Sequence, residues 1–402
     1  MRPIRDTIPL EEARALILAA ARPVARIETV PLEAAHQRVL ASAIVASQDV
    51  PPFTRAAMDG YAVVAEDTFG AGPFAPKVLR LLETVYTGQV PTRAVTRGGC
   101  SEIATGAPMP DGADAVVMVE ETEKDEDGRV KVFSPVYPGQ NVGRQGADIQ
   151  AGQTVLSAGD YLTSSRVGAI AALGIERVDV FDRPRVAILS TGNEIVSPGR
   201  ALAPGQIYDI NRFTLGAIIA EHGGVPVPCP TSADTLDDLD RALEAALAED
   251  AVIFSGGSSV GERDLILDAI AARGEVVFHG IAVKPGKPTL FGIVGGTPVL
   301  DMPGYPTSCL SNGYMLVVPM LRRMARLPEA VQRMVTLPLG QRIVSTTGRH
   351  QFYTVRVVDG TAMPAFKASG DITSMSQADG YIEIPAQKDI VEKGESVDVI
   401  LF

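Results

Sequence analysis

Between residues 181 and 327, short apolar runs alternate with amphipathic ones, and this alternation limits the fold more than any other feature of the chain. The strand-like runs are 185–189, 225–227, 251–254, 276–278, 290–294 and 298–301. The helical runs are 210–222, 236–249, 265–273 and 307–325. Strands joined through helices predict a mostly parallel, doubly wound α/β sheet. Such sheets bind ligands beyond the carboxyl ends of their strands. Five polar or Gly/Pro loops fall there: Thr191-Gly192-Asn193-Glu194, Thr231 to Asp234, Ser255 to Asp264, Lys284-Pro285-Gly286-Lys287-Pro288 and Pro303 to Ser308. Lysines, carboxylates and glycines on one edge point to a site for anions.

The stretch Ser255-Gly256-Gly257-Ser258-Ser259-Val260-Gly261-Glu262-Arg263-Asp264 joins a buried strand to a helix. A glycine- and serine-rich turn there presents backbone N–H groups and hydroxyls to a phosphate, and Asp264 adds a carboxylate for a cation. By itself it reads equally well as a tight turn with a helix cap. Ordinary nucleotide motifs fail on spacing. Gly286-Lys287 has Ile281 where a P-loop needs its first glycine and Pro288 where it needs a hydroxyl, and no GxGxxG is present.

An opening helix is predicted over 10–21, between Pro9 and Pro23, with Leu16 and Ala20 on one face. A shorter helix is expected over 32–40. Residues 46–144 are richer in Pro and Gly and read as short β-runs, with a hairpin of 116–121 and 130–133 around Asp127-Gly128. They look inserted between 1–45 and 145–180, which together form one discontinuous segment with a helix at 164–173. Pro51 to Ala62 and Thr105 to Asp114 are stiff loops carrying Asp59 and Thr105. Such loops present ligands, and they are equally good turns. After Pro328 the short runs 334–338, 352–358, 381–384 and 396–402 predict a small β-barrel or sandwich. Its loops at Arg349 and Ser369 are either ordinary turns or reach a site elsewhere.

The net charge of −12 argues against broad binding to nucleic acid or anionic membrane. It leaves room for a local cationic pocket, because screening confines the general field to about 8 Å. Cys100, Cys229 and Cys309 form no CxxC pair, and the four histidines form no HExxH. No apolar run spans a membrane. A soluble, cytoplasmic protein is the expectation.

Seven motifs in order resemble those of molybdopterin molybdenumtransferases, the MoeA family, equivalent to the E domain of gephyrin. They are Ala57-Met58-Asp59-Gly60-Tyr61-Ala62, Thr105-Gly106-Ala107-Pro108, Gly146-Ala147-Asp148-Ile149, Ser190-Thr191-Gly192-Asn193-Glu194, Ser255 to Asp264, Lys284 to Pro288 and Pro303-Gly304-Tyr305-Pro306. The resemblance runs over essentially the whole chain. It implies an elongated helical domain (1–45 with 145–180), an inserted β-rich domain (46–144), a molybdopterin-adenylyltransferase-like α/β domain (181–327) and a C-terminal β-barrel (328–402). It also implies a homodimer with composite active sites. The implied reaction inserts molybdate into adenylylated molybdopterin with Mg²⁺ and releases AMP.

Carried onto this chain, the resemblance gives Asp59, Asp264, Lys284, Lys287 and Glu194 as catalytic. Thr105, Asp148, Thr191, Ser255, Gly256, Gly257, Ser258, Pro303, Arg349 and Ser369 would bind substrate, and Asp234, Asp264 and Glu194 the metal. The lysines supply point charges and Arg349 a fork for an oxyanion. Thr54, Asn193, Ser258 and Tyr305 depart from the commonest pattern, and Tyr305 leaves tungstate open beside molybdate. Two other functions stay in view. A molybdopterin adenylyltransferase, itself a candidate partner, needs only the α/β domain; a non-catalytic scaffold needs none of the acidic residues or lysines.

Overall fold

The computed structural model describes residues 6–232, 235–256 and 265–402. The chain forms two compact units: one of Pro31–His36 with Ser42–Val178, the other of Gln37–Ala41, Asp179–Phe402 and the described part of Met1–Val30.

In the larger unit, a six-stranded sheet runs in the spatial order Val225–Pro228, Arg185–Ser190, Ala251–Ser255, Thr297–Met302, Leu290–Val294, Glu275–His279. The first four of these strands pair in parallel and Leu290–Val294 is reversed against its two neighbours, so the sheet is mostly parallel with one antiparallel strand. The reason is local. Val294 pairs with Thr297 across Gly295-Gly296, whose φ values are 59° and 89°. Two positive-φ residues make a tight hairpin, where a crossover would have kept the strands parallel.

Both faces of this sheet are covered. Helices Leu236–Ala246 and Leu265–Arg273 pack Leu239, Leu243, Ile266 and Ile270 against Val252, Phe254 and Val299. On the other face, helix Leu10–Ala20 buries Leu10, Ala13 and Ile17 with Ile188, Ile253 and Leu300. The inward stripe of that first helix is therefore Leu10, Ala13 and Ile17, with the expected Leu16 and Ala20 partly buried against the same core. Spacings of three and four place those residues on one side.

The long helical pattern at 307–325 resolves into helix Pro306–Asn312, a π-helical turn Gly313–Val317 and helix Val318–Met324. Pro319 explains part of this, because it has no N–H to give to the preceding turn. The Met315 carbonyl is reached instead by the Arg14 Nε–H at 3.0 Å, from the first helix.

The C-terminal strands form a second six-stranded sheet in this unit: Met334–Pro338, His350–Val358, Thr361–Pro364, Gly380–Ile384 and Ser396–Leu401, joined by the two-residue strand Val283–Lys284. That last member matters for function. It pairs in parallel with His350–Val358, placing Lys284 opposite Gln351.

The smaller unit is built on a third six-stranded sheet, in the order Ala115–Met118, Gly60–Val63, Gly99–Ile103, Lys77–Val85, Arg129–Val132, Thr122–Lys124. The expected hairpin is displaced by one strand. A 3-10 turn at Val119–Glu121 redirects the chain, so Ala115–Met118 pairs with Gly60–Val63 while Thr122–Lys124 takes Arg129–Val132. The helix expected over 32–40 is only the 3-10 turn Leu32–Ala34. Nine residues are too few to hold a helix unaided, and Leu32 N–H instead donates to the Glu176 carbonyl at 2.8 Å.

Candidate active site

All five loops after the strands lie at the same edge of the α/β sheet, in their described parts. Glu275–His279 is antiparallel to Leu290–Val294, itself antiparallel to Thr297–Met302. The end of Glu275–His279, which leads to Lys284, therefore lies on the same side as the ends of the parallel strands. Asp234, Gly257, Ser258 and Asp264 lie outside the described residues.

The centre of this edge is closed tightly. Thr191 N–H donates to the Ser255 carbonyl at 3.1 Å. Gly256 follows at φ 101°, and a Cβ there would lie 2.3 Å from the Thr191 carbonyl oxygen. Only glycine fits such a backbone approach. Gly304 comes next, since a Cβ on it would stand 3.6 Å from Gly256 Cα. The Asn211 amide fixes that loop by donating to the Gly304 carbonyl at 2.8 Å. Thr191 and Ser255 are buried, and Pro303 with them. Ser255 Oγ stands 3.8 Å from Cys309 Sγ. Burial pushes the Cys309 thiol up to about 12, so it stays protonated and adds no charge.

Glu194 is exposed just past the strand. Its carboxylate folds back over Gly192, where a Cβ would lie 2.8 Å from either oxygen. That cradle leaves a hard oxygen donor on the rim. Among the described residues no group of three His, Cys, Asp or Glu side chains converges for a metal. Mg²⁺ needs fewer, because it is usually held by one or two carboxylates together with substrate phosphates. Glu194 fits that use.

The lysine turn is tied to the C-terminal sheet. Lys284 is half-buried and its Nζ donates to Thr346 Oγ1 at 2.8 Å. The same pairing of Val283 with His350 sets Arg349, half-buried, level with Ala282, two residues before Lys284. Ser369 is brought in by a different contact: its carbonyl accepts the Thr307 N–H at 3.0 Å, just after the Pro303–Pro306 loop. Lys284, Lys287, Arg349, Ser369, Pro303, Gly256, Ser255, Thr191 and Glu194 thus belong to one set of laced loops in the larger unit. A groove of about 670 Å³ on the C-terminal strands, lined among others by Arg356, Met363 and Lys393, contains none of them.

The smaller unit holds the other residues. Asp59 Oδ1 accepts the Thr105 N–H at 2.7 Å. Gly106 N–H donates to the Ala56 carbonyl at 2.8 Å, and Met109 N–H to that of Thr54 at 2.9 Å. Gln145 N–H reaches Thr54 Oγ1 at 3.3 Å. Asp148 is held through its N–H to the Val50 carbonyl at 3.0 Å. Three separate loops are knitted together, with Asp59 and Thr105 in direct contact and Asp148 exposed on the neighbouring loop.

The Thr105 backbone N–H, then its hydroxyl, hold the Asp59 carboxyl below its usual 3.8. A depressed folded value means that this bond adds stability above the unfolded value and loses it as pH falls through the folded one. The Asp59 carboxyl ¹³C resonance is expected to titrate below 3.8, and Thr105→Val to move it part-way back. An ordinary titration in the parent protein would refute the contact.

Comparison with known proteins gives the family. Three family profiles match in order: MoeA N-terminal region (domain I and II) over 8–174, probable molybdopterin binding domain over 187–323, and MoeA C-terminal region (domain IV) over 336–402. Molybdopterin molybdenumtransferase 2 of Mycobacterium tuberculosis is 36% identical over 387 residues, covering 94% of each chain. The chain belongs to the MoeA family. A molybdopterin molybdenumtransferase of Nostoc is 31% identical, over 93% of this chain and 88% of its own. The crystal structure of a molybdopterin biosynthesis MoeA protein from Pyrococcus horikoshii superposes with a TM-score of 0.84 at 40% identity, covering 98% of this chain and 99% of that one. This MoeA-family chain therefore has the family's multidomain architecture, with a molybdopterin-binding-type α/β domain and mixed sheets.

Sequence reasoning missed the residues that hold the site rather than line it. Thr346 aims Lys284, Asn211 fixes Gly304, and Asn312 contacts the lysine turn. Asn312 carried little signal, because Thr307, Ser308 and Ser311 in the same helix are polar too.

Proposed function

We propose that this chain inserts molybdenum into molybdopterin, acting as a molybdopterin molybdenumtransferase in molybdenum cofactor biosynthesis. The observation that carries the reading is the lysine turn, with Lys284 aimed by Thr346 beside loops closed by Gly256 and Gly304. It is supported by two full-length relatives named for this transfer. A scaffold requires neither the aimed lysine nor the Glu194 cradle.

Adenylylated molybdopterin and molybdate are the proposed substrates. Both are anions, so bringing them together costs repulsion that fixed cations must offset. Lys284 and Lys287 act as point charges and Arg349 as a planar fork. A helix end contributes only about 0.3–1 kcal/mol per charge when exposed, so the side chains do most of this. Thr191, Ser255 and Gly256 line the place for the phosphates, and Ser369 the place for molybdate. Mg²⁺, when bound, would supply positive charge to offset that of the phosphates. Glu194 would help hold it, and Asp59 with Thr105 of a second subunit would complete the site.

Purified protein is expected to release AMP from adenylylated molybdopterin only when molybdate and Mg²⁺ are both supplied, yielding molybdenum cofactor. AMP release without any molybdenum transfer would refute the reading. Substituting tungstate for molybdate settles which anion Tyr305 admits.

We also propose a homodimer in which the smaller unit of one subunit completes the site of its partner. Asp59→Ala and Lys284→Ala proteins, each strongly impaired alone, are expected on mixing and subunit exchange to recover about a quarter of parental activity, since random pairing makes half the dimers mixed, each with one intact site. No recovery after proven exchange would sink the composite site.

A further inference from the structure

The lysine turn takes its shape from a residue well outside it. Asn312 is fully buried, and its Nδ2 donates to the Gly286 carbonyl at 2.9 Å and to Thr289 Oγ1 at 2.6 Å. Thr289 Oγ1 donates in turn to the same Gly286 carbonyl at 2.9 Å. The three groups close a small ring of hydrogen bonds beneath the turn. Gly286 has φ 104°, and a Cβ on it would lie 2.4 Å from Asn312 Oδ1 and 2.5 Å from Nδ2. The amide therefore lies against the α-carbon of Gly286, between Lys284 and Lys287.

Among the described residues Asn312 Oδ1 has no hydrogen-bond partner, and it is not exposed to water. A buried orphan acceptor destabilises the fold, so the amide contributes through its Nδ2 bonds to the turn. Its place in the chain is equally specific. Asn312 is the last residue of helix Pro306–Asn312, and the π-helical turn Gly313–Val317 starts directly after it. Such segments often accompany functional sites. At its other end the same helix holds the Ser369 loop, with Thr307 N–H on the Ser369 carbonyl and Thr307 Oγ1 on the Asp371 carbonyl, both at 3.0 Å. One rigid element therefore references both the lysine turn and the Ser369 loop.

We infer that Asn312 is a positioning residue that sets the Lys284–Lys287 turn for its anion. The inference rests on the reading of these lysines as anion holders. Asn312 touches no substrate; it acts through the Gly286 carbonyl. Displacing a charge by a fraction of an ångström is felt in the transition state.

The test measures initial rates of AMP release from adenylylated molybdopterin against molybdate concentration, on protein shown to be folded by thermal melting. Asn312→Leu keeps the volume and removes both bonds. It is expected to raise the molybdate concentration for half-maximal rate about tenfold or more. Ser311→Ala, buried in the same helix with its hydroxyl donating to the Ser308 carbonyl, is expected to stay within about twofold. The double variant Lys284→Ala/Asn312→Leu should lose less than the product of the two single losses, because both act through one turn. If Asn312→Leu does not fold, Thr289→Val, which breaks the same ring, is measured in its place with the same expectation. A molybdate dependence unchanged in Asn312→Leu or its replacement while Lys284→Ala shifts it overturns the inference, as does full multiplicative loss in the double variant. If Lys284→Ala also leaves it unchanged, the reading of the lysines fails and this inference with it.

Discussion

Replacing Lys284 by alanine is expected to lower kcat/KM for molybdenum insertion by about 10²–10³-fold, the usual loss when one fixed stabiliser of developing charge is removed. The size follows from how the ammonium is held. A free surface lysine samples many rotamers and is screened by salt, so its loss matters little. Lys284 is half-buried, its backbone is locked by pairing with Gln351, and its Nζ is fixed on Thr346 Oγ1. Its charge is placed before substrate arrives. Thr346→Val keeps the charge and releases its aim, so it should cost less, about tenfold. The melting temperature of Lys284→Ala should hardly change, because the side chain carries no core packing. Steady-state AMP release alongside a thermal melt checks both halves. A loss under about fivefold would show that Lys284 is not a principal charge of the site.

Gly256→Ala is the second large effect, and it acts on stability as well as activity. The added Cβ would sit 2.3 Å from the Thr191 carbonyl oxygen, which is backbone and cannot swing aside. The residue must also adopt φ 101°, which an L side chain resists. Backbone strain of about 1–3 kcal/mol and overpacking of about 1–3 kcal/mol together predict about 2–6 kcal/mol of destabilisation. That is a large share of a typical total of about 5–15 kcal/mol. Gly199→Ala separates the two causes, since Gly199 has φ 92° with nothing within 4 Å of the new methyl. It should lose the strain contribution alone. Urea unfolding of the two variants is the measurement, and equal losses would remove the close approach from the argument. Gly256→Ala should also depress turnover of whatever protein remains folded, because the strands at Thr191 and Ser255 must part to admit it.

The parts of the site that were legible beforehand share a short range. Apolar periodicity marked Ala251–Ser255 and Leu290–Val294 nearly to the residue, because a buried strand must be apolar wherever it lies. The Gly/Pro loops marked the strand ends for the same reason: positive φ and proline restrictions act on single residues. The missed hairpin at Gly295-Gly296 was also written locally, and the alternation of strand and helix obscured it. The 32–40 segment went wrong in the other direction, since its helical spacing is real and its backbone bonds go to a distant partner.

What the sequence by itself determined was the set of elements, the loops at their ends and the family to which their motifs belong. Only the tertiary structure decided how those loops are held. Thr346 lies 62 residues from Lys284, Asn312 lies 26 from Gly286, and Thr105 lies 46 from Asp59. No periodicity links such pairs. A hydroxyl, an amide or a backbone N–H has many possible acceptors in a chain of 402 residues, and which one it meets is settled only when the sheets pack and leave a single partner within reach.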